Sequence, residues 1–123
     1  MAKKILIVDD EPNIVRVLAS RLKANNYDIV AAYDAVQAIK KAVADKPDLI
    51  IMDYKMPAGS GVTVFENLQR IGELGIIPVI FITAFAAKDI KDKVMKMGAI
   101  DFITKPFDPE DLLHKVKEAL GDT

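Results

Sequence analysis

Asp9, Asp10, Asp53, Thr83 and Lys105 are the residues of this chain whose types and surroundings could do chemistry. Each lies at the end of a short, mostly apolar run: Ile5 to Val8 before Asp9-Asp10, Leu49 to Met52 before Asp53, Val79 to Ile82 before Thr83, and Asp101 to Thr104 before Lys105. Three carboxylates brought together cannot all ionise cheaply without a cation. Two or three oxygen donors with open positions suit Mg²⁺ or Mn²⁺, ions that keep waters and share phosphate oxygens. A phosphoryl group is the guest such a site implies. Asp53 would be the nucleophile that becomes an acyl phosphate, Lys105 would neutralise a phosphoryl oxygen, and Thr83 would donate a hydrogen bond.

Taken singly, these residues have ordinary explanations. An acid after a strand can cap the next helix, an Asp can form a turn, a Thr is at home in a strand, and a Lys is usually solvated. Met95 and Met97 read as packing, and His114 as a surface residue of the last helix. The ordinary readings fail together because all five candidates fall at the carboxyl ends of strands of one sheet. That edge is where open α/β sheets bind ligands.

The elements that must position them alternate strand and helix. Leu49 to Met52 has no polar alternation, as expected of a parallel strand buried on both faces; Ile5 to Val8 and Val79 to Thr83 read the same way. Ile29 to Ala32 and Asp101 to Thr104 are more polar or shorter and belong at or near the sheet edges. Helices are expected after each strand. The first begins at Pro12, buries Ile14, Val15, Leu18 and Leu22, and stops at Asn25-Asn26. Asp34 caps the second, with Gln37 in the capping-box position and Ala35, Ala38, Ile39, Ala42 and Val43 as its buried stripe. Past the loop from Lys55 to Gly61, the third buries Val64, Phe65, Leu68 and Ile71 and ends at Gly72 and Gly75. The fourth uses Ile90, Val94 and Met97 and closes at Gly98. The fifth follows Asp108 and Pro109 and buries Leu113, Val116 and Leu120.

Right-handed crossovers then make a doubly wound five-stranded parallel sheet, a flavodoxin-like three-layer α/β sandwich. The strand polarities select the order 2-1-3-4-5, whose switch point lies between the first and third strands, where Asp9, Asp10 and Asp53 converge. The chain has 123 residues, 51% hydrophobic and 28% charged, which suits one domain spanning residues 1–123 and argues against disorder. Seventeen basic against eighteen acidic residues leave a net charge of −1, so neither direct nucleic-acid binding nor membrane attraction is expected. With no Cys and one His, any metal must be held mainly by oxygen, and a reducing compartment is consistent. No stretch reads as a signal peptide or a bilayer span, so a cytoplasmic protein is expected.

At these residues the chain closely resembles the receiver domain of bacterial two-component response regulators, of the chemotaxis or sporulation single-domain type. The resemblance is carried by Ile7-Val8-Asp9-Asp10-Glu11, by Asp53-Tyr54-Lys55-Met56-Pro57 with Gly61, by Thr83-Ala84, and by Lys105-Pro106-Phe107. The chemotaxis member of that family has the same strand order, so the two arguments for 2-1-3-4-5 are not independent. The resemblance implies that Asp53 accepts a phosphoryl group from a sensor histidine kinase or phosphotransfer protein. It implies that Asp10, Asp53 and the Lys55 carbonyl hold Mg²⁺, that Asp9 helps through water, and that Thr83 and Lys105 bind the phosphoryl group. It further implies a cis Lys105-Pro106 bond and a switch in which Thr83 moves toward the phosphoryl group and Phe102 fills the space it leaves.

Such a protein promotes its own phosphorylation and dephosphorylation without being a turnover enzyme. Lys55 and Phe85 would flank the path of attacking water, and neither is a carboxylate or an amide, so slow self-dephosphorylation is expected. Without metal the clustered acids should repel one another, so Asp10→Asn is expected to raise apo stability. Two rivals remain on the sequence. A flavin- or nucleotide-binding module would need a phosphate-cradling Gly-rich loop where acids stand, and a hydrolase would need a further acid/base that the remote His114 does not supply. The downstream partner is open: a separate protein, or an output domain covalently linked in a longer chain.

Overall fold

The apolar runs that read as interior strands form the middle of one parallel sheet. A computed structural model describes residues 2–56, 59–84 and 88–122. In chain order its elements are β1 (Lys4–Val8), α1 (Pro12–Lys23), β2 (Asp28–Ala32), α2 (Ala35–Asp45), β3 (Leu49–Asp53), β4 (Lys55–Met56), β5 (Gly59–Ser60), α3 (Gly61–Gln69), a 3₁₀ helix (Gly72–Ile76), β6 (Val79–Thr83), α4 (Lys88–Met97), β7 (Asp101–Thr104) and α5 (Pro109–Leu120). The main sheet runs β2-β1-β3-β6-β7, all parallel. Counting only these five strands, the order is 2-1-3-4-5, as expected.

Every residue of β3 and β6 is buried, whereas β2 and β7 are partly exposed, as their polarity predicts for edges. Alternate side chains of the inner strands feed two cores. Leu6, Val8, Ile50, Met52, Val79 and Phe81 pack with α2, α3 and α4; Ile5, Ile7, Leu49, Ile51, Ile80 and Ile82 pack with α1 and α5. Register does the positioning, because Val8 pairs with Met52 and Asp53 with Ile82, so Asp9, Asp53 and Thr83 emerge at one level.

Local signals end the helices as read, with small differences. Pro12 opens α1, and Asn26 adopts a left-handed φ of 70° just past its end. The Asp34 carboxylate accepts from Gln37 N, but the Gln37 side chain accepts from Tyr33 N rather than from Asp34 N, so the capping box is displaced by one residue. Gly98 has φ 110°, and Asp108 accepts from Glu110 N. The Lys105-Pro106 peptide is cis.

Four expectations fail. Met95, read as packing, is 39% exposed, whereas Met97 packs against the core. Val43, placed in the α2 stripe, is 49% exposed, and the contact is made by the buried Ala35, Ala38 and Ala42 with the partly buried Ile39. Ile71 lies beyond the end of α3 and is 38% exposed, and the chain forms a 3₁₀ turn that buries Leu74 instead. The segment read as a loop from Lys55 contains the antiparallel pair β4–β5.

Gly61 is required by space. A Cβ there would lie 2.3 Å from the Asp53 carbonyl oxygen and 3.1 Å from both Met52 Cγ and Phe81 Cε1. The carbonyl belongs to the backbone of a fully buried strand and cannot step aside cheaply. Gly61→Ala is therefore expected to destabilise the protein by about 2 kcal/mol, read as a lowered urea midpoint; an unchanged midpoint would refute the close-approach account.

Candidate functional site

The β1 strand ends in Asp9, whose N–H still donates to Ala32 O at 3.1 Å, so its side chain is fixed by the last rung of the sheet. Asp9 is fully buried, Asp53 is 5% exposed and Thr83 1% exposed; they are the buried polar or charged residues among those described. Asp10 is exposed at the rim. Lys105 follows β7, where its N–H donates to Thr83 O at 2.7 Å, and its side chain is only 11% exposed. That backbone bond ties β7 to β6 one residue past the paired strands and sends the lysine across the carboxyl edge.

The Lys105 Nζ is shared by three carboxylates: Asp9 Oδ2 at 2.9 Å, Glu11 Oε1 at 3.2 Å and Asp53 Oδ2 at 3.4 Å. Asp9 Oδ1 accepts from Glu11 N at 2.9 Å, and Asp53 Oδ1 from Lys55 N at 3.4 Å. Asp9 Oδ2 meets Lys105 as an ion pair but lacks hydrogen-bond geometry. Burial, and after it the charge of Asp9, push the Asp53 carboxyl up to about 6 against the pull of Lys105. Burial also holds Asp9 above its ordinary value, although the Glu11 N–H and Lys105 act to lower it. For Lys105, burial works against the charged form, but Asp9, then Asp53 and Glu11, outweigh it and raise its pKa.

One oxygen from each of Asp9, Asp10 and Asp53 lies within 4.8 Å of the others. The donor set is oxygen alone, and the buried Asp9 Oδ2 has no hydrogen bond; both features fit a hard divalent cation such as Mg²⁺. Asp10 is exposed, whereas Asp9 and Asp53 are buried, and burial and the charge of Asp9 raise the Asp53 carboxyl.

Thus Asp9, Asp10, Asp53 and Lys105 converge as expected, with Thr83 at the end of the neighbouring strand. Lys55 adjoins Asp53 and its side chain is exposed. Phe102 is partly buried on β7, paired in register with Phe81 and packed against the core beneath α2, α3 and α4. His114 is 68% exposed and lies 2.9 Å from Glu118, a surface residue as read. Phe85 and Pro57 lie outside the described residues. Glu11 was missed: it belongs to the acidic run Asp9-Asp10-Glu11, but nothing local to that run shows that it meets a lysine 94 positions away.

The chain is similar in fold and in sequence to known proteins. The chemotaxis protein CheY4 of Vibrio cholerae superposes with a TM-score of 0.92 at 28% identity, covering 98% of this chain and 100% of that one. The receiver domain of sensor histidine kinase PA1611 from Pseudomonas aeruginosa, solved with a magnesium ion coordinated in its active site cleft, gives a TM-score of 0.89 at 25% identity, covering 98% and 99%. In sequence, the phosphate regulon transcriptional regulatory protein PhoB of Pseudomonas aeruginosa is 40% identical over 124 residues, covering 100% of this chain and 54% of that protein. The regulator RpaA of Synechocystis is 38% identical over 122 residues, covering 98% and 50%. The chain spans about half the length of the curated relatives it matches.

RpaA is described as a DNA-binding dual master transcriptional regulator, which overturns the expectation of no direct nucleic-acid binding. That expectation rested on the charge balance of this stretch, and proteins described as transcriptional regulators carry a similar stretch. Among the described residues no helix is long and apolar enough to cross a membrane. The response regulator receiver domain is matched over residues 5–117. Since that match runs from the second residue of β1 to the last turn of α5, through every strand of the sheet, the chain belongs to the response regulator receiver domain family.

Proposed function

We propose that residues 1–123 act as one receiver domain that takes a phosphoryl group on Asp53 from a sensor histidine kinase or a phosphotransfer protein. The observation that carries this reading is the convergence of Asp9, Asp10 and Asp53, two of which, Asp9 and Asp53, share the largely buried ammonium of Lys105. An Asp53 carboxylate oxygen attacks phosphorus, the bond from phosphorus to the donor atom breaks, and its electron pair leaves with the donor. Lys105 would neutralise a phosphoryl oxygen, and the Thr83 hydroxyl would donate a hydrogen bond to another. Asp9, Asp10, Asp53 and the Lys55 carbonyl would hold Mg²⁺ or Mn²⁺. When bound, the ion supplies positive charge between the carboxylates and the phosphoryl oxygens.

The product stays on the chain, so the domain promotes its own phosphorylation and dephosphorylation without turning over a substrate pool. Movement of Thr83 toward the phosphoryl group would let Phe102 turn further into the space behind it and alter the surface around α4, β7 and α5. That surface would engage a downstream protein or a covalently linked output domain. The absence of Cys accords with work in the cytoplasm. Acids at the end of β1, where a nucleotide-binding loop would stand, disfavour the flavin or nucleotide reading, and the exposed His114 disfavours the hydrolase. Incubation with acetyl phosphate and Mg²⁺ should add one phosphoryl mass to the intact protein and none to Asp53→Asn. Equal labelling of both would sink the assignment.

A further inference from the structure

Glu11 occupies the N-cap position of α1, yet its side chain makes no capping hydrogen bond. The side chains that cap well from that position are the short ones of Asp, Asn, Ser and Thr, and the longer Glu is left available for a partner elsewhere. Here the side chain reaches across the mouth of the site to Lys105 Nζ at 3.2 Å. Its main chain is tied down on both sides: Glu11 N donates to Asp9 Oδ1 at 2.9 Å, and Glu11 O accepts from Ile14 N at 3.1 Å and Val15 N at 3.2 Å. The carboxylate is thus presented from a fixed backbone to a largely buried ammonium.

The three carboxylates around Lys105 are not equivalent. Asp9 is fully buried and the Asp53 side chain 7% exposed, whereas that of Glu11 is 59% exposed. An exposed ion pair is weakened by solvent and salt, so Glu11 is the partner that can let go at least cost. A phosphoryl group arriving on Asp53 brings further negative charge and oxygens that seek the same three ammonium protons. Its oxygens and the Glu11 carboxylate then repel one another while sharing one cation.

We propose that Glu11 is a positioning residue that competes with the phosphoryl group for Lys105, holding the ammonium at the mouth of the site until Asp53 is phosphorylated. This inference rests on the phosphoacceptor reading of Asp53. Loss of the Glu11 contact leaves Lys105 with Asp9 and Asp53 alone and one ammonium proton open to the incoming group, so phosphorylation accelerates. Because the contact is an exposed ion pair, the gain is about two- to fivefold.

The test compares wild type, Glu11→Gln and Glu11→Asp in two measurements. One is the initial rate of phosphorylation by acetyl phosphate with Mg²⁺, and the other is hydrogen exchange of the Lys105 ammonium by ¹⁵N NMR in the unphosphorylated protein. Gln removes the charge, while Asp keeps it but is one methylene too short to hold the same contact. Both variants are expected to be phosphorylated faster and to show faster ammonium exchange. If Gln accelerates phosphorylation and Asp does not, charge at a distance is responsible and the positioning role is overturned. If ammonium exchange is the same in all three proteins, Glu11 does not hold Lys105 and the inference fails. If wild type takes no phosphoryl group at all, the phosphoacceptor reading is what fails, and unaltered exchange in the variants would still overturn the hold on Lys105.

Discussion

Asp53→Asn is expected to stabilise the metal-free protein at neutral pH by about 3 kcal/mol, although it removes the proposed site of phosphorylation. Burial and the neighbouring Asp9 raise the Asp53 carboxyl from 3.8 to about 6 in the folded state. Between those values the native protein keeps a proton that the unfolded chain has released, so stability falls as pH rises through that window. A shift of roughly two units corresponds to about 3 kcal/mol. The contribution is fully present below the unfolded value and lost above the folded one. The Asn variant resembles the protonated form at every pH, so its advantage should be small near pH 4 and complete by about pH 7.5. Denaturation with urea in EDTA at both pH values measures it. A difference of equal size at both would refute the account, and so would failure of excess Mg²⁺ to narrow the gap at pH 7.5.

Lys105→Met should have the opposite sign and a larger size. It leaves the carboxylates of Asp9 and Asp53 buried without their common cation, and breaking such a group by removing one partner costs about 3–5 kcal/mol. Exposed Glu11 loses little, because water replaces the lysine. The deficit should be greatest at neutral pH without Mg²⁺ and should shrink in acid, where Asp53 can take up a proton. In an Asp53→Asn background it should also shrink, since fewer uncompensated charges remain. Strict additivity of the two substitutions in the double variant would show that Lys105 and Asp53 are not energetically coupled.

Much of this arrangement is legible in the amino-acid order because it depends on short-range rules. Continuous apolar runs identify β1, β3 and β6 as doubly covered strands, and a strand ending in an acid says which residue reaches the sheet edge. Asp34, Asp108, Pro12, Pro109 and Gly98 punctuate helices through contacts within a few residues, and they were readable for that reason. Convergence of Asp9, Asp10 and Asp53 follows once the strand order is known, because the reversal of that order opens the crevice between β1 and β3.

Where burial depends on what lies opposite, periodicity was insufficient. Val43 and Leu112 both sit on amphipathic helices, yet Val43 is 49% exposed and Leu112 1% exposed. Ile71 continued the α3 pattern, but the chain had already left the helix. The demand for glycine at position 61 comes from a carbonyl eight positions earlier in the chain, brought close by the turn back from β3.

The amino-acid sequence by itself determined which residues end the strands, that any metal would be held by oxygen, and which acid stands at the centre. Only the tertiary structure decided how tightly that acid holds its proton. Lys105 reaches Asp53 across 52 residues and Glu11 across 94, so the sharing of one ammonium among three carboxylates is set by the packing of β7 against β6. Proton affinity depends on desolvation and on distances of a few ångströms, and neither quantity exists in a chain until its strands have been brought side by side.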